Sequence, residues 1–158
     1  MAIVVDTNVF ARVFDPTNKE HAEFALVKSW IERGDGFLVF GGTRYIAELA
    51  QSIHRLRLVR RLKESGMAVQ IDSGTVDAID QEILRLTAGT ACNDQHIMAL
   101  LAAARCGLLC SLDAESYPFV KARNCYPKGC IKVRIYSSSR NADLLVRVDR
   151  ATVRNAVL

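Results

Sequence analysis

The chain predicts an α/β fold in which a central, mostly parallel sheet is covered by helices on both faces. Three observations lead there. Short apolar runs of strand length recur at residues 2–5, 37–40, 108–112 and 131–136. The first two lack the polar alternation of a half-exposed strand, so they read as strands buried on both sides. Between them lie longer stretches whose apolar residues recur at three- and four-residue steps, the pattern of a helix with one inward face. Strands alternating with helices give a parallel sheet, because each crossover returns the chain to the same edge.

Each element follows from local sequence. The first strand, Ile-Val-Val, ends at Asp6, and residues 7–14 then place Val9, Phe10, Val13 and Phe14 at helical spacing. Asp15-Pro16-Thr17-Asn18 breaks that turn, and a helix is predicted over 19–33, stopped by Gly34-Asp35-Gly36. After the second strand, Gly41-Gly42 turns the chain into one long helix over 43–64, with Gly66 as its stop. Residues 67–71 read as a short extended piece. Asp72-Ser73 caps a helix over 74–88, and Asn93 is placed as the N-cap of a helix over 94–105 that ends at Gly107. Ser137-Ser138-Ser139 is the one linker-like stretch, and it divides a core domain, 1–136, from a basic tail, 137–158.

Composition bounds the class. The chain has 158 residues, 50% of them hydrophobic and 24% charged, which is globular usage. A chain of this length buries roughly two thirds of its unfolded surface and needs no disulfide or metal to fold. No apolar run approaches the ~20 residues that span a bilayer, and the N-terminus lacks a signal peptide's basic region. A cytoplasmic protein is therefore expected. The five cysteines, Cys92, Cys106, Cys110, Cys125 and Cys130, fit reduced thiols there. Zinc on Cys106, Cys110, Cys125 and Cys130 is a poorer reading than inert thiols, because a Cys-x3-Cys pair across a helix end and a strand sets ligands badly.

The net charge of +4 hides an asymmetry. Residues 1–118 carry 12 Lys/Arg against 15 Asp/Glu, while residues 119–158 carry 9 Lys/Arg against only Asp143 and Asp149. An acidic body with a basic end suits a protein that holds a cation and touches a polyanion, although solubility alone accounts for the same split.

In open α/β sheets, ligands sit beyond the carboxyl ends of the strands. Asp6 and Asp113 each close a predicted strand, Asp94 opens the helix leading to the Asp113 strand, and Glu48 lies about two turns into the long helix. Singly, each has a plain structural explanation: a helix cap for Asp6, the helix dipole for Asp94, a turn for Asp113, a pairing with Arg44 or Arg55 for Glu48. Together they are predicted at one sheet edge. Carboxylates about 4 Å apart repel by roughly 4 kcal/mol per pair at an effective dielectric near 20, so such a cluster needs cations or protons. Oxygen donors without His or Cys select Mg²⁺ or Mn²⁺, ions suited to phosphodiester hydrolysis.

Four segments resemble PIN-domain nucleases. Ile3-Val4-Val5-Asp6-Thr7-Asn8-Val9 is similar to the family's opening strand and first acid. Ile46-Ala47-Glu48-Leu49 resembles its helix-borne second acid, and Asn93-Asp94-Gln95-His96-Ile97 the helix start with the third. Leu109-Cys110-Ser111-Leu112-Asp113 resembles the next strand-end motif, with Ser111 where the family usually has Thr. The likeness runs over about residues 1–136. It implies a PIN-like three-layer sandwich and an endoribonuclease using Mg²⁺ or Mn²⁺, similar to VapC-type toxins, which pair with an antitoxin and are often dimeric. In this reading Asp6, Asp94 and Asp113 hold the metal directly or through water, and Glu48 completes the cluster or orients water. Thr7, Asn8 and Ser111 support these groups. Glu115 stands where such toxins often have a further Asp, and its longer side chain sets it apart as a ligand. His96, two residues past Asp94, is expected on a surface or partner-facing side of its helix.

Residues 51–63 hold five Lys/Arg and no acid. On one continuous helix, Arg55 falls about 20° from Glu48 and Arg44 about 40°, so both could meet RNA phosphates beside the cut. A solvated face or an antitoxin-binding surface explains the same residues. Two further readings compete. A haloacid-dehalogenase-like phosphatase also begins with a strand-end Asp but wants Asp two residues on, where this chain has Asn8. A non-catalytic PIN-like module binding RNA or protein would have no need of all four acids.

Overall fold

The computed structural model describes residues 1–130 and 132–146. Five strands, β1 (Ala2–Val5), β2 (Phe37–Gly41), β3 (Ala68–Ile71), β4 (Leu108–Cys110) and β5 (Arg134–Tyr136), form one sheet in the order β3-β2-β1-β4-β5. Every pairing is parallel. The helices are α1 (Phe10–Phe14), α2 (Ala25–Glu32), α3 (Thr43–Ala50), α4 (Ile53–Glu64), α5 (Ser73–Leu86), α6 (Gln95–Ala103) and α7 (Tyr117–Lys121). They flank the sheet, giving the α/β sandwich that the alternating pattern predicts. Ile3, Val4, Val5, Leu38 and Leu108 are wholly buried, as a two-sided sheet requires. Among the described residues, no helix is long and apolar enough to cross a membrane.

The strand order positions the site. From β1 the chain builds outward to β2 and β3, then returns to the other side of β1 with β4 and β5. The order therefore reverses between β1 and β4, and a crevice opens at the carboxyl ends of strands at such a switch point. Val5 pairs with Cys110, so Asp6 and Ser111 leave the sheet side by side.

The predicted helix over 43–64 is two helices. Ser52 adopts an extended conformation and its hydroxyl accepts from the Arg55 backbone N–H, starting α4 afresh after α3 ends at Ala50. A serine that can bond the backbone outside a helix competes with the helix interior and favours such a cap. The angles drawn along one continuous helix from Glu48 to Arg55 therefore do not hold. The predicted helix over 19–33 is also shorter: His21–Glu23 is a 3-10 turn and α2 spans Ala25–Glu32. Asp94, and not Asn93, stands at the N-cap of α6. Asp72 caps α5 as expected, accepting from the Thr75 N–H at 2.8 Å.

Gly41 and Gly42 make the turn from β2 into α3. Their φ angles are +153° and +82°, and a Cβ on Gly42 would meet Val76 Cγ1 at 2.5 Å. Only glycine allows both the positive φ and this close approach to α5.

The first ten residues of the predicted tail are packed on the body. Ser139 donates through its N–H and its hydroxyl to Glu23 Oε2 at 2.9 and 2.7 Å, and Leu144 is buried. Trp30 Nε1 donates to the Val146 carbonyl at 3.1 Å. The rest of that tail lies outside the described residues, as does residue 131 of the predicted fourth strand.

Candidate active site

Asp6 leaves the end of β1 and is buried. Its Oδ1 accepts from the Asn8 N–H at 3.1 Å, which makes it the cap of the Thr7–Val9 3-10 turn. Its Oδ2 accepts from the Ser111 hydroxyl at 2.9 Å. The same hydroxyl accepts from the Asp113 N–H at 3.1 Å, so Ser111 ties the two strand-end acids together. Asn8 contributes its backbone to this arrangement while remaining exposed. The structural explanation of Asp6 as a cap and its membership of the cluster both hold.

Glu48 reaches the site from α3, and both of its oxygens have partners. Oε2 accepts from the Thr7 hydroxyl at 2.9 Å. Oε1 lies 2.8 Å from His96 Nε2. The His96 contact holds the Glu48 carboxyl below its ordinary range, and the Thr7 hydrogen bond and the Arg44 charge act in the same direction.

Asp6 and Asp94 shift the other way. Burial raises the Asp6 carboxyl, and the charges of Glu48 and Asp113 add to that, against the two hydrogen bonds it accepts. Asp94 is pushed up to about 6, first by burial and then by the charges of Asp6 and Asp113. Its side chain also shares a hydrogen bond with Asp113 that favours the protonated form. Thus the four acids predicted from the sequence are brought to one crevice and sense one another. Glu115 differs: its side chain is exposed, and the link to Asp113 is its backbone N–H, at 3.1 Å from Oδ1.

The oxygens offered to a cation are those of Asp6, Asp94 and Asp113. Among the described residues, no three His, Cys, Asp or Glu side chains stand as they are in the arrangement of metal donors. No disulfide joins the cysteines, and burial pushes the Cys106 thiol up to about 11.

The two candidate RNA-binding arginines flank Glu48 but have partners of their own. Arg44 Nη1 pairs with both Asp80 oxygens at 3.1 and 3.2 Å while staying half exposed. Arg55 Nη1 donates to the Glu48 backbone carbonyl at 3.3 Å, across the break between α3 and α4. Beyond Arg55, a groove between α1 and α4 has Phe10, Phe14 and Leu58 on its walls with Arg55, His54 and Arg61.

His96 corrects the expectation that it faces outward: it is 5% exposed and turned toward Glu48. A signal for this was in the sequence. Residues 95–101 are buried without a break, and a helix apolar all round offers no solvent face to a histidine inside it. Two tyrosines were also missed. The wholly buried Tyr45 donates to the Val5 carbonyl at 2.6 Å, and Tyr117 donates to the Ser111 carbonyl at 2.7 Å. Each braces the backbone beside a site residue. Compared with protein-family models, curated proteins and solved structures, the chain matches none.

Proposed function

We propose that the chain is a metal-dependent endoribonuclease of the PIN-domain kind, cutting RNA at the crevice between β1 and β4. The observation that carries this reading is the convergence of Asp6, Glu48, Asp94 and Asp113, from four separate elements, at the topological switch point. The donor set fits a hard divalent cation, Mg²⁺ or Mn²⁺, because it is all oxygen, and burial followed by the charge of neighbouring carboxylates raises Asp6 and Asp94. Asp6, Asp94 and Asp113 would hold the ion, which when bound supplies charge neutralisation at the phosphate and an acidified water.

The chain's own residues do the remaining work. Ser111 and the Asn8 N–H fix Asp6 by both oxygens, so this acid keeps its orientation. Glu48, ionised and held by Thr7 and His96, is placed to accept a hydrogen bond from the attacking water. Water adds its oxygen to phosphorus, the P–O bond to the leaving oxygen breaks, and the proton the water gives up is matched by one taken up by that leaving oxygen. Arg44 keeps exposed surface with which to meet a neighbouring phosphate, a contact that positions the strand without reading a base. A toxin paired with an antitoxin, and a homodimer, belong to the same proposal and rest on the resemblance alone.

The deciding experiment incubates the chain with single-stranded RNA in Mn²⁺, in EDTA, and in EDTA followed by excess Mg²⁺. Cleavage in the first and third alone supports the reading. RNA that is bound but never cut identifies a non-catalytic module, and full cleavage in EDTA removes the metal.

A further inference from the structure

We propose that His96 is a positioning residue: with Thr7 it holds the Glu48 carboxylate by both oxygens, fixing Glu48 beside the Asp6, Asp94 and Asp113 group. This rests on the metal-nuclease reading above and assigns a residue which that reading leaves without a task.

The starting point is an imbalance. His96 is buried, yet its Nδ1 has no hydrogen-bond partner among the described residues. Its Nε2 lies 2.8 Å from Glu48 Oε1, a close contact without the geometry of a regular hydrogen bond. Leaving a buried polar atom unsatisfied is costly. Ile97, Met98, Ala99 and Leu100 fill the neighbouring positions with apolar side chains at no such cost. The contact with Glu48 is what a histidine supplies at this place and an apolar residue does not.

The placement of the two holders adds to this. Thr7 directly follows Asp6, and His96 follows Asp94 by two residues. Glu48 is therefore tied on one oxygen to the segment that carries Asp6 and on the other to the helix that carries Asp94. A carboxylate tethered at both ends sets the spacing of those two segments, and with it the spacing of Asp6 and Asp94. Partners that orient a metal site from behind its ligands typically carry 10–100-fold in affinity or activity.

The test is a double-mutant cycle on the full chain, read by calorimetric titration with Mn²⁺ in the absence of RNA. His96→Ala is expected to weaken Mn²⁺ binding about tenfold, while His96→Gln, which keeps a donor at similar reach, recovers most of the loss. In the Glu48→Gln background, His96→Ala should change affinity less than about twofold, because its effect passes through Glu48. In cleavage, His96→Ala should lower kcat with KM little changed. Should His96→Ala fail to fold by circular dichroism, His96→Leu refills the volume without a donor and takes its place. Unchanged Mn²⁺ affinity in the donor-less variant, or an equal loss in both backgrounds, overturns the proposal alone. A parent chain that takes up no Mn²⁺ overturns the metal reading, and the proposal with it.

Discussion

Two sets of carboxylates stand in this small molecule and are treated in opposite ways. At the start of α5, each acid has a donor. Asp72 accepts from the N–H and hydroxyl of Thr75, Asp77 from the N–H and hydroxyl of Thr43, and Asp80 from Arg44. The Thr75 bonds hold Asp72 below its ordinary range. At the ends of β1 and β4 the acids instead face one another, and burial raises Asp6 and Asp94. Asp72 caps α5, while Asp77 and Asp80 fasten it to α3. The second set stores repulsion, which only a cation or a proton relieves. Residue type is the same in both, and Asp6 accepts two hydrogen bonds as Asp72 does, so what separates the sets is burial among other carboxylates.

The largest effects should come from dividing the two sets by substitution. Asp94→Asn and Asp113→Asn are expected to abolish RNA cleavage while melting in EDTA at or above the parent temperature, since each removes a like charge. Asp80→Asn should do the reverse, losing about 1 kcal/mol of stability by urea unfolding and leaving cleavage in place. A fall in the EDTA melting temperature for both site variants would make them structural after all.

The pH dependence of metal-free stability should split along the same line. The Asp94 carboxyl is raised to about 6 in the folded chain, so between its ordinary value of 3.8 and about 6 the folded state binds the extra proton. Stability in EDTA should therefore fall as pH rises through that window, and Asp94→Asn should flatten the fall. Asp72 is lowered, so its contribution is present above its ordinary value and is lost as pH drops below it. Melting temperatures measured across this range for the parent, Asp94→Asn and Asp72→Asn decide the signs.

A smaller effect is expected on the approach to the site. Arg55 touches the Glu48 backbone, whereas Arg61 lies between one and two turns further along α4. Arg55→Ala should reduce the salt slope of log K for RNA by about 0.7, the value for one phosphate of a single strand, and Arg61→Ala should leave it nearly unchanged. The titration is run with Asp94→Asn to prevent cutting, and the opposite ranking would move the strand off this face. The smallest change is expected for Glu115→Gln, whose exposed side chain stands outside the bonded network; activity losses equal to those of Asp113→Asn would place it inside.

The strands and the four acids were legible because strand-length apolar runs and strand-end carboxylates are local patterns. What the sequence could not carry was tertiary. Ser52 looks like any serine in a helical stretch until its hydroxyl is seen to restart the helix. Its place two residues past Asp94 puts His96 on a different helical face, but the decisive fact is burial all round α6 from Gln95 to Leu101. Arg44 and Arg55 read as free cations because Asp80 and the Glu48 carbonyl, their partners, lie elsewhere in the chain. The Ser137-Ser138-Ser139 stretch reads as a linker, and in the structure it is held through Glu23, more than a hundred residues earlier.

The chain contains a single tryptophan, Trp30, and its position gives it a use as a built-in fluorophore. The indole is buried, and Gly36 leaves it room that even one methyl group would occupy, at 2.0 Å from its ring. Its N–H ends on the carbonyl of Val146. Its emission wavelength therefore reports, without any label, whether the segment after β5 is seated: blue when docked, shifted to the red when that strap is cut or lifts away.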